Sequence, residues 1–187
     1  MQIKGILFDL DGTLVSTQEA NYLSYKEAYA SIGIDLSRRD YLKVFGLRFD
    51  DMVEELSPEL SDALRVKLRN NKSIFYKKNL GMTVLNPVLM AIIKNDTNFK
   101  KKALITTASK KNALEVLKFH NLDNLFNICI FGEDVLLGKP NPECYNLGIE
   151  SLGLSPNECL IFEDTLIGVC AGEKSGSSVI NVSGWCT

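Results

Sequence analysis

Short apolar runs rich in β-branched residues recur along the chain, once at its start and four times in its second half. They cover residues 3–8, 103–106, 128–131, 159–162 and 179–182. Segments with apolar residues at helical spacing separate the last four runs, and this alternation is typical of a parallel sheet with helices on both faces. The pattern therefore predicts an α/β fold with a Rossmann-like parallel sheet.

The segment between the first and second apolar runs is too long for a single connecting helix. It contains four stretches with helical spacing of apolar residues, at 19–31, 38–45, 50–56 and 58–78. We interpret it as a small α-helical cap inserted after strand one. The predicted domains are an α/β core formed by residues 1–15 and 84–187 and a helical cap formed by residues 16–83, with linkers at 15–18 and 80–86.

Composition excludes several classes of protein. The chain has 187 residues, 45% of them hydrophobic, and a net charge of −2 with both signs well mixed. We therefore expect a soluble globular protein that binds neither nucleic acid nor membrane, and that is a monomer or a weak homo-oligomer. Five cysteines without a C-x-x-C pair are typical of reduced core thiols and indicate a cytoplasmic location. The longest apolar run is too short to span a bilayer.

Polar residues that could bind a ligand or take part in catalysis follow four of the predicted strands. Ligands in such sheets bind outside the carboxyl ends of the strands, so these residues are the candidate site. They are Asp9 and Asp11 after strand one, Thr106 and Thr107 after strand two, Lys139 in the loop after strand three, and Glu163 and Asp164 after strand four. Together they offer a nucleophile, an acid/base, phosphate donors, a cation and carboxylate ligands for Mg²⁺.

Each of these groups also has an ordinary structural interpretation. Thr106 and Thr107 could simply finish a strand, and Lys139 could be a solvated loop lysine. Glu163 and Asp164 could be an acidic pair at a helix N-terminus, where the helix dipole favours them. The ordered set on consecutive strands, rather than any single member, favours the functional interpretation.

In this order the four motifs resemble those of the haloacid dehalogenase superfamily, in its branch of β-phosphoglucomutase-like phosphatases with a helical C1-type cap. The first motif is Asp9-Leu10-Asp11-Gly12-Thr13 and the second is Thr106. The third is Lys139, within Gly138-Lys139-Pro140-Asn141-Pro142-Glu143, and the fourth is Glu163-Asp164. The helical insert matches the cap position of that branch, so the resemblance covers nearly the whole chain.

The resemblance implies a mechanism. Asp9 would attack phosphorus to give an aspartyl-phosphate, and Asp11 would protonate the leaving oxygen and then accept a proton from the hydrolytic water. Mg²⁺ would be held by Asp9, Asp11 through its backbone carbonyl, and Asp164, with Glu163 nearby.

The phosphoryl oxygens would be held by Thr106, Thr107 and Lys139. We therefore expect a Mg²⁺-dependent phosphomonoester hydrolase acting on a small phosphorylated metabolite, a sugar phosphate or similar. The alternatives are a β-phosphoglucomutase-like sugar-phosphate mutase and a catalytically silent protein that binds a phosphorylated metabolite. Departures from the mutase pattern, including Asn21 where β-phosphoglucomutases have a histidine, favour the hydrolase.

The sequence predicts the substrate less well than it predicts the reaction. Arg48, which follows a glycine in the predicted cap, is the first candidate for a substrate contact, although an ordinary solvated arginine is the alternative. Lys110 and Asn21 are the further candidates.

Overall fold

The computed structural model describes residues 2–95 and 101–185, and the chain divides into two compact units. We call Met1–Ser16 with Val84–Thr187 the core unit, and Thr17–Thr83 the helical unit. The predicted domain boundaries, and the role of the second unit as a cap, stay predictions. Among the described residues no helix has both the length and the apolar character needed to cross a membrane.

The core unit contains seven strands and four α-helices within the part of the chain that the structure describes. The strands are β1 (Gly5–Phe8), β2 (Val15–Ser16), β3 (Val84–Leu85), β4 (Lys101–Ile105), β5 (Ile128–Ile130), β6 (Cys159–Glu163) and β7 (Ser178–Asn181). Its helices, numbered here after the four of the helical unit, are α5 (Pro87–Asn95), α6 (Lys110–Phe119), α7 (Glu143–Ser151) and α8 (Leu166–Lys174). The helical unit contributes α1 (Gln18–Ala30), α2 (Arg38–Val44), α3 (Phe49–Leu56) and α4 (Asp62–Asn79).

Five of the strands form one parallel sheet with the order β5-β4-β1-β6-β7. The central strand β1 places Leu7 opposite Ala103 of β4 and Ile161 of β6. All four residues of β1 are buried, as expected for a strand covered on both faces. The chain builds the sheet outward from β1 on one side and then crosses to the other, so β1 lies at the switch point where α/β proteins bind ligands. The predicted fold class is confirmed.

One face of this sheet packs against α7. Tyr145 and Ile149 of that helix belong to the same buried cluster as Leu7, Ile105 and Ile161 from three neighbouring strands. This apolar packing fixes the position of α7 relative to the strand ends. Tyr145 thereby carries a phenolic hydroxyl into the interior.

The predicted linkers contain secondary structure that the sequence did not reveal. Val15 and Ser16 of β2 pair in antiparallel fashion with Leu85 and Val84 of β3. The two chain segments that leave and re-enter the core unit are therefore joined by a short ribbon. Two-residue strands lack enough alternation to be recognised as a pattern.

The helical unit has its own apolar core. Its buried residues include Tyr22, Tyr25, Tyr29, Tyr41 and Leu68. Three of the four predicted helices begin and end within one residue of the observed helices.

The fourth predicted helix, 58–78, begins too early. Leu60 N donates to the Ser57 carbonyl in a turn, and the helical hydrogen bonds start with Arg65 N donating to Ser61 O. The Arg65 side chain also donates to the Leu60 carbonyl, which holds the turn against the first helical residues. Apolar spacing across this turn mimics a helix, because Leu60 is buried in the apolar core of the helical unit although it lies in a turn.

Candidate active site

The site begins where β1 ends. Asp9 follows the last β1 residue, is buried with 5% of its surface exposed, and donates its backbone N–H to the Phe162 carbonyl of β6. Asp11 is half-buried, and the chain then turns through Gly12 at φ +93°. A side chain at Gly12 would overlap the Asp164 carboxylate, so glycine is required there for steric as well as conformational reasons.

Thr106 lies at the end of β4, beside β1, and is buried. Its Oγ1 accepts a hydrogen bond from Ala108 N at 3.0 Å and lies 3.4 Å from Asp11 Oδ2. The hydroxyl is thus held by the turn that follows the strand and faces the motif-one loop. Thr107 is half-buried in the same turn.

Lys139 reaches the centre of the site from the loop between β5 and α7. Its Nζ lies 2.6 Å from Asp9 Oδ1 and 2.5 Å from Glu163 Oε1, and only 6% of the residue is exposed. Burial disfavours the ammonium charge, but the two carboxylates outweigh burial, and the pKa of Lys139 is raised well above its usual value. The lysine is therefore a fixed cation at neutral pH.

Glu163 is the last residue of β6 and is fully buried. Besides Lys139, its Oε1 accepts from the Tyr145 hydroxyl at 2.7 Å, and its Oε2 accepts from the backbone N–H groups of Asp164 and Thr165. Burial works against ionisation, but Lys139 and these donors lower the pKa of Glu163, so it is ionised. Both of its oxygens are occupied by hydrogen bonds.

Asp164 lies next to Glu163 and is half-buried. Its Oδ1 accepts a hydrogen bond from the Thr13 hydroxyl at 2.9 Å. Burial, followed by the negative charge of Glu163, raises the pKa of Asp164 to about 6. Burial also raises the pKa of Asp9 well above its usual value, although the positive charge of Lys139 opposes the rise; the charges of Glu163 and Asp164 add to the effect of burial.

The crowding of three carboxylates at this end of the sheet favours a bound cation. Asp9, Glu163 and Asp164 each offer a carboxylate oxygen within 4.8 Å of the others. The crowded negative charge is costly unless protons or a metal ion balance it. Hard carboxylate oxygens are the ligands that Mg²⁺ prefers, so the donor set fits this ion. Because both Glu163 oxygens already accept hydrogen bonds, Asp9 and Asp164 are the better placed ligands.

Three functional neighbours were not foreseen from the sequence. Thr13, within the first motif, orients Asp164, and Tyr145 contacts Glu163. The Trp185 indole N–H donates to the Gly12 carbonyl at 2.6 Å and so supports the turn after Asp11. Of these, only Thr13 carried a sequence signal, through its place in the motif. The other two depend on tertiary packing.

The three candidate substrate residues each have surroundings that the structure describes within their own unit. Lys110 is exposed at the start of α6, where its backbone N–H donates to Glu133 Oε2 at 2.8 Å. Arg48 is the half-buried N-cap residue of α3 in the helical unit. Asn21, also in the helical unit, is buried and donates to Thr17 Oγ1 at 3.2 Å. Their role as substrate contacts stays a prediction.

The sequence matches a family profile described as haloacid dehalogenase-like hydrolase over residues 6–182. The chain belongs to this family. A phosphorylated carbohydrates phosphatase from Thermotoga maritima is 30% identical over 181 residues, which cover 93% of this chain and 82% of the relative. Protein CbbY from Rhodobacter capsulatus is 30% identical over 193 residues, covering 96% of this chain and 85% of the relative.

Solved structures of the family share the fold. CbbY from Rhodobacter sphaeroides in complex with phosphate superposes with a TM-score of 0.88 at 23% identity, covering 98% of this chain and 87% of that one. A β-phosphoglucomutase from Clostridium difficile gives 0.86 at 20% identity, with coverages of 98% and 86%. The predicted family and the prediction of a HAD-type phosphatase are confirmed.

Proposed function

We propose that this family member is a Mg²⁺-dependent phosphatase of small phosphorylated metabolites, with sugar phosphates as the first substrate class to test. The observation that carries the proposal is the position of Lys139, whose buried ammonium bridges Asp9 and Glu163 at the end of the central strand. The phosphatases among the relatives, one of them acting on phosphorylated carbohydrates, support the substrate class.

The chemistry follows from the charges in the site. A carboxylate and a phosphate dianion repel one another strongly in a closed site, so cations must offset the repulsion before Asp9 can approach phosphorus. Lys139 is one such cation and already lies within hydrogen-bonding distance of Asp9. Mg²⁺, held by Asp9, Asp164 and the Asp11 carbonyl, would supply a second positive charge. Glu163 accepts a second hydrogen bond from Lys139 and so helps to fix the ammonium group.

In the proposed reaction an Asp9 oxygen forms a bond to phosphorus while the bond from phosphorus to the ester oxygen breaks. Asp11 gives its proton to the departing oxygen, and the product alcohol leaves. Asp11 then accepts a proton from a water molecule whose oxygen attacks phosphorus and releases Asp9 and inorganic phosphate. Thr106 and the Thr107 N–H would hold the phosphoryl oxygens through both steps.

The decisive experiment is phosphate release from a panel of sugar phosphates, a small aryl phosphate and pyrophosphate, each with and without Mg²⁺. Pyrophosphate is included because pyrophosphatases at 26% and 27% identity are among the relatives. We expect Mg²⁺-dependent release that Asp9→Asn reduces by more than about 10³-fold and Asp11→Asn by about 10²- to 10⁴-fold.

Asp123→Asn is the matched control, because it removes an exposed carboxylate of the core unit. It should release phosphate at the wild-type rate. Conversion of one sugar phosphate into its isomer without phosphate release would contradict the hydrolase function and favour the mutase. Tight binding of a sugar phosphate with neither reaction would favour the silent binding protein.

We also propose that the protein works in the cytoplasm. The cysteines at positions 129, 144, 159 and 170 are all free thiols, which supports a reducing compartment. Cys159 is held in the sheet, where burial raises the pKa of its thiol to about 11.

A further inference from the structure

Tyr145 is a buried polar residue of the core unit for which the proposed reaction has no role. It lies in α7 and has no exposed surface. Its hydroxyl donates to Glu163 Oε1 at 2.7 Å, and the Lys139 ammonium lies 5.0 Å from the centre of its ring. The residue therefore touches both members of the ion pair that faces Asp9.

The Glu163 carboxylate is held on all sides. Its Oε1 accepts from Lys139 Nζ and from the Tyr145 hydroxyl, at 2.5 and 2.7 Å. Its Oε2 accepts from the N–H groups of Asp164 and Thr165, at 3.0 and 3.2 Å, and from the Thr165 hydroxyl at 3.2 Å. An ionised carboxylate has no proton to give, so the tyrosine hydroxyl is the donor. The carboxylate cannot rotate without breaking several of these bonds.

Two carboxylates compete for one ammonium group in this arrangement. Lys139 Nζ lies at 2.6 Å from Asp9 Oδ1 and at 2.5 Å from Glu163 Oε1. A second donor on Glu163 Oε1 offsets part of its negative charge and so weakens its attraction for Lys139. The ammonium then stays shared with Asp9 and with any phosphoryl group bound there, instead of being drawn fully to Glu163.

We propose that Tyr145 is a positioning residue that acts through Glu163 and sets how Lys139 is shared between Glu163 and the phosphoryl site at Asp9. This proposal rests on the phosphatase function proposed above. The ring contributes separately, because its face stabilises a nearby ammonium group. Replacement of the hydroxyl alone therefore tests the proposal most directly.

Tyr145→Phe keeps the ring and its packing and removes only the hydroxyl. Hydrogen bonds to charged groups commonly correspond to about tenfold or more in an equilibrium, so we expect about a tenfold loss of kcat/KM. We expect a similar weakening of the affinity for inorganic orthophosphate at fixed Mg²⁺, measured by titration calorimetry. Tyr29→Phe, which removes a buried hydroxyl in the helical unit, is the matched control and should leave both values unchanged.

A double-mutant cycle with Glu163→Gln separates positioning from general loss of packing. If Tyr145 acts through Glu163, then Tyr145→Phe should change orthophosphate affinity by less than about twofold in the Glu163→Gln background. Equal effects in both backgrounds would overturn the proposal, and so would a Tyr145→Phe protein that binds orthophosphate as the wild type does.

The same measurements keep the two proposals distinguishable. A wild-type protein that binds orthophosphate but releases none from the ester panel would overturn the phosphatase function, while the binding cycle would still decide on Tyr145. A wild-type protein that neither hydrolyses esters nor binds orthophosphate would overturn both proposals.

Discussion

Two lysines of this protein are equally buried and lie in contrasting surroundings. Lys139 in the core unit and Lys72 in the helical unit each expose 6% of their surface. The Lys139 ammonium lies between the carboxylates of Asp9 and Glu163, whereas the Lys72 ammonium lies 5.0 and 4.0 Å from the ring centres of Tyr25 and Tyr76.

The comparison shows that burial of a charge does not by itself mark a functional site. The aromatic contact does not mark one either, because Lys139 also lies over a tyrosine ring. What sets Lys139 apart is that its two carboxylate partners come from the ends of two adjacent parallel strands. That edge of the sheet is where ligands of α/β proteins bind. Charged groups that converge there are available for chemistry.

The largest expected effect comes from removing the core lysine. Lys139→Met should abolish phosphate release and lower the free energy of unfolding by about 3–5 kcal/mol, because breaking a buried ion pair leaves charge without its partner. Urea unfolding and the phosphatase assay measure the two effects. A Lys139→Met protein with wild-type activity would contradict the central role of this cation.

Gly168 gives the second largest effect. A side chain there would overlap the Glu163 carboxylate. Gly168→Ala should therefore displace Glu163, reduce activity and lower the free energy of unfolding by about 1–3 kcal/mol, the usual range for overpacking. Gly81→Ala in the helical unit is the control, because its side chain would meet no atom within 4 Å. Similar losses of activity and stability in the two variants would contradict the prediction that a side chain next to Glu163 is especially harmful.

The crowded carboxylates predict a pH dependence that Mg²⁺ should reverse. The pKa of Asp164 is about 6 in the folded protein and 3.8 in the unfolded chain. The folded state therefore binds more protons than the unfolded state between these two pH values. The Asp164 contribution to stability is therefore present below pH 4 and is lost as pH rises through 6, by at most about 3 kcal/mol. Asp164→Asn, which cannot titrate, should gain stability relative to the wild type over that window.

Saturating Mg²⁺ at pH 7.5 should compensate for this loss. It should raise the free energy of unfolding by about 2.7 kcal/mol when its concentration is one hundred times its dissociation constant. Thermal unfolding with Mg²⁺ and with chelator measures this difference. Asp164→Asn should respond much less to Mg²⁺. An equal response in both proteins would remove Asp164 from the ligand set.

The smallest expected effect belongs to the helical-unit lysine. Lys72→Met keeps the length and apolar character of the side chain and removes the ammonium from the faces of Tyr25 and Tyr76. For the loss of these two aromatic contacts we expect about 0.5–2 kcal/mol in unfolding free energy, with phosphate release unchanged. Loss of activity in a folded Lys72→Met protein would contradict the conclusion that only Lys139, of these two lysines, is needed for phosphate release.

Much of the fold was readable from the sequence, for reasons visible in particular elements. β1 is buried on both faces, so its run of apolar residues stands out, and three of the four helices of the inserted segment match the predicted spans closely. The predicted start of α4 is wrong because Leu60, which lies in the turn before the helix, is buried in the same apolar core and continues the helical spacing. The ribbon formed by β2 and β3 was too short to leave a pattern.

Sequence by itself determined the α/β class, the order of the motifs and the family, because strand periodicity and the residues after each strand are local properties. Only the tertiary structure decided which groups meet. The Lys139 ammonium is placed between Asp9 and Glu163, residues 130 and 24 positions away, and the Tyr145 hydroxyl reaches Glu163 because α7 packs on the sheet with that face inward. The phase of a helix against a sheet depends on the packing of the whole core, and no local pattern encodes it.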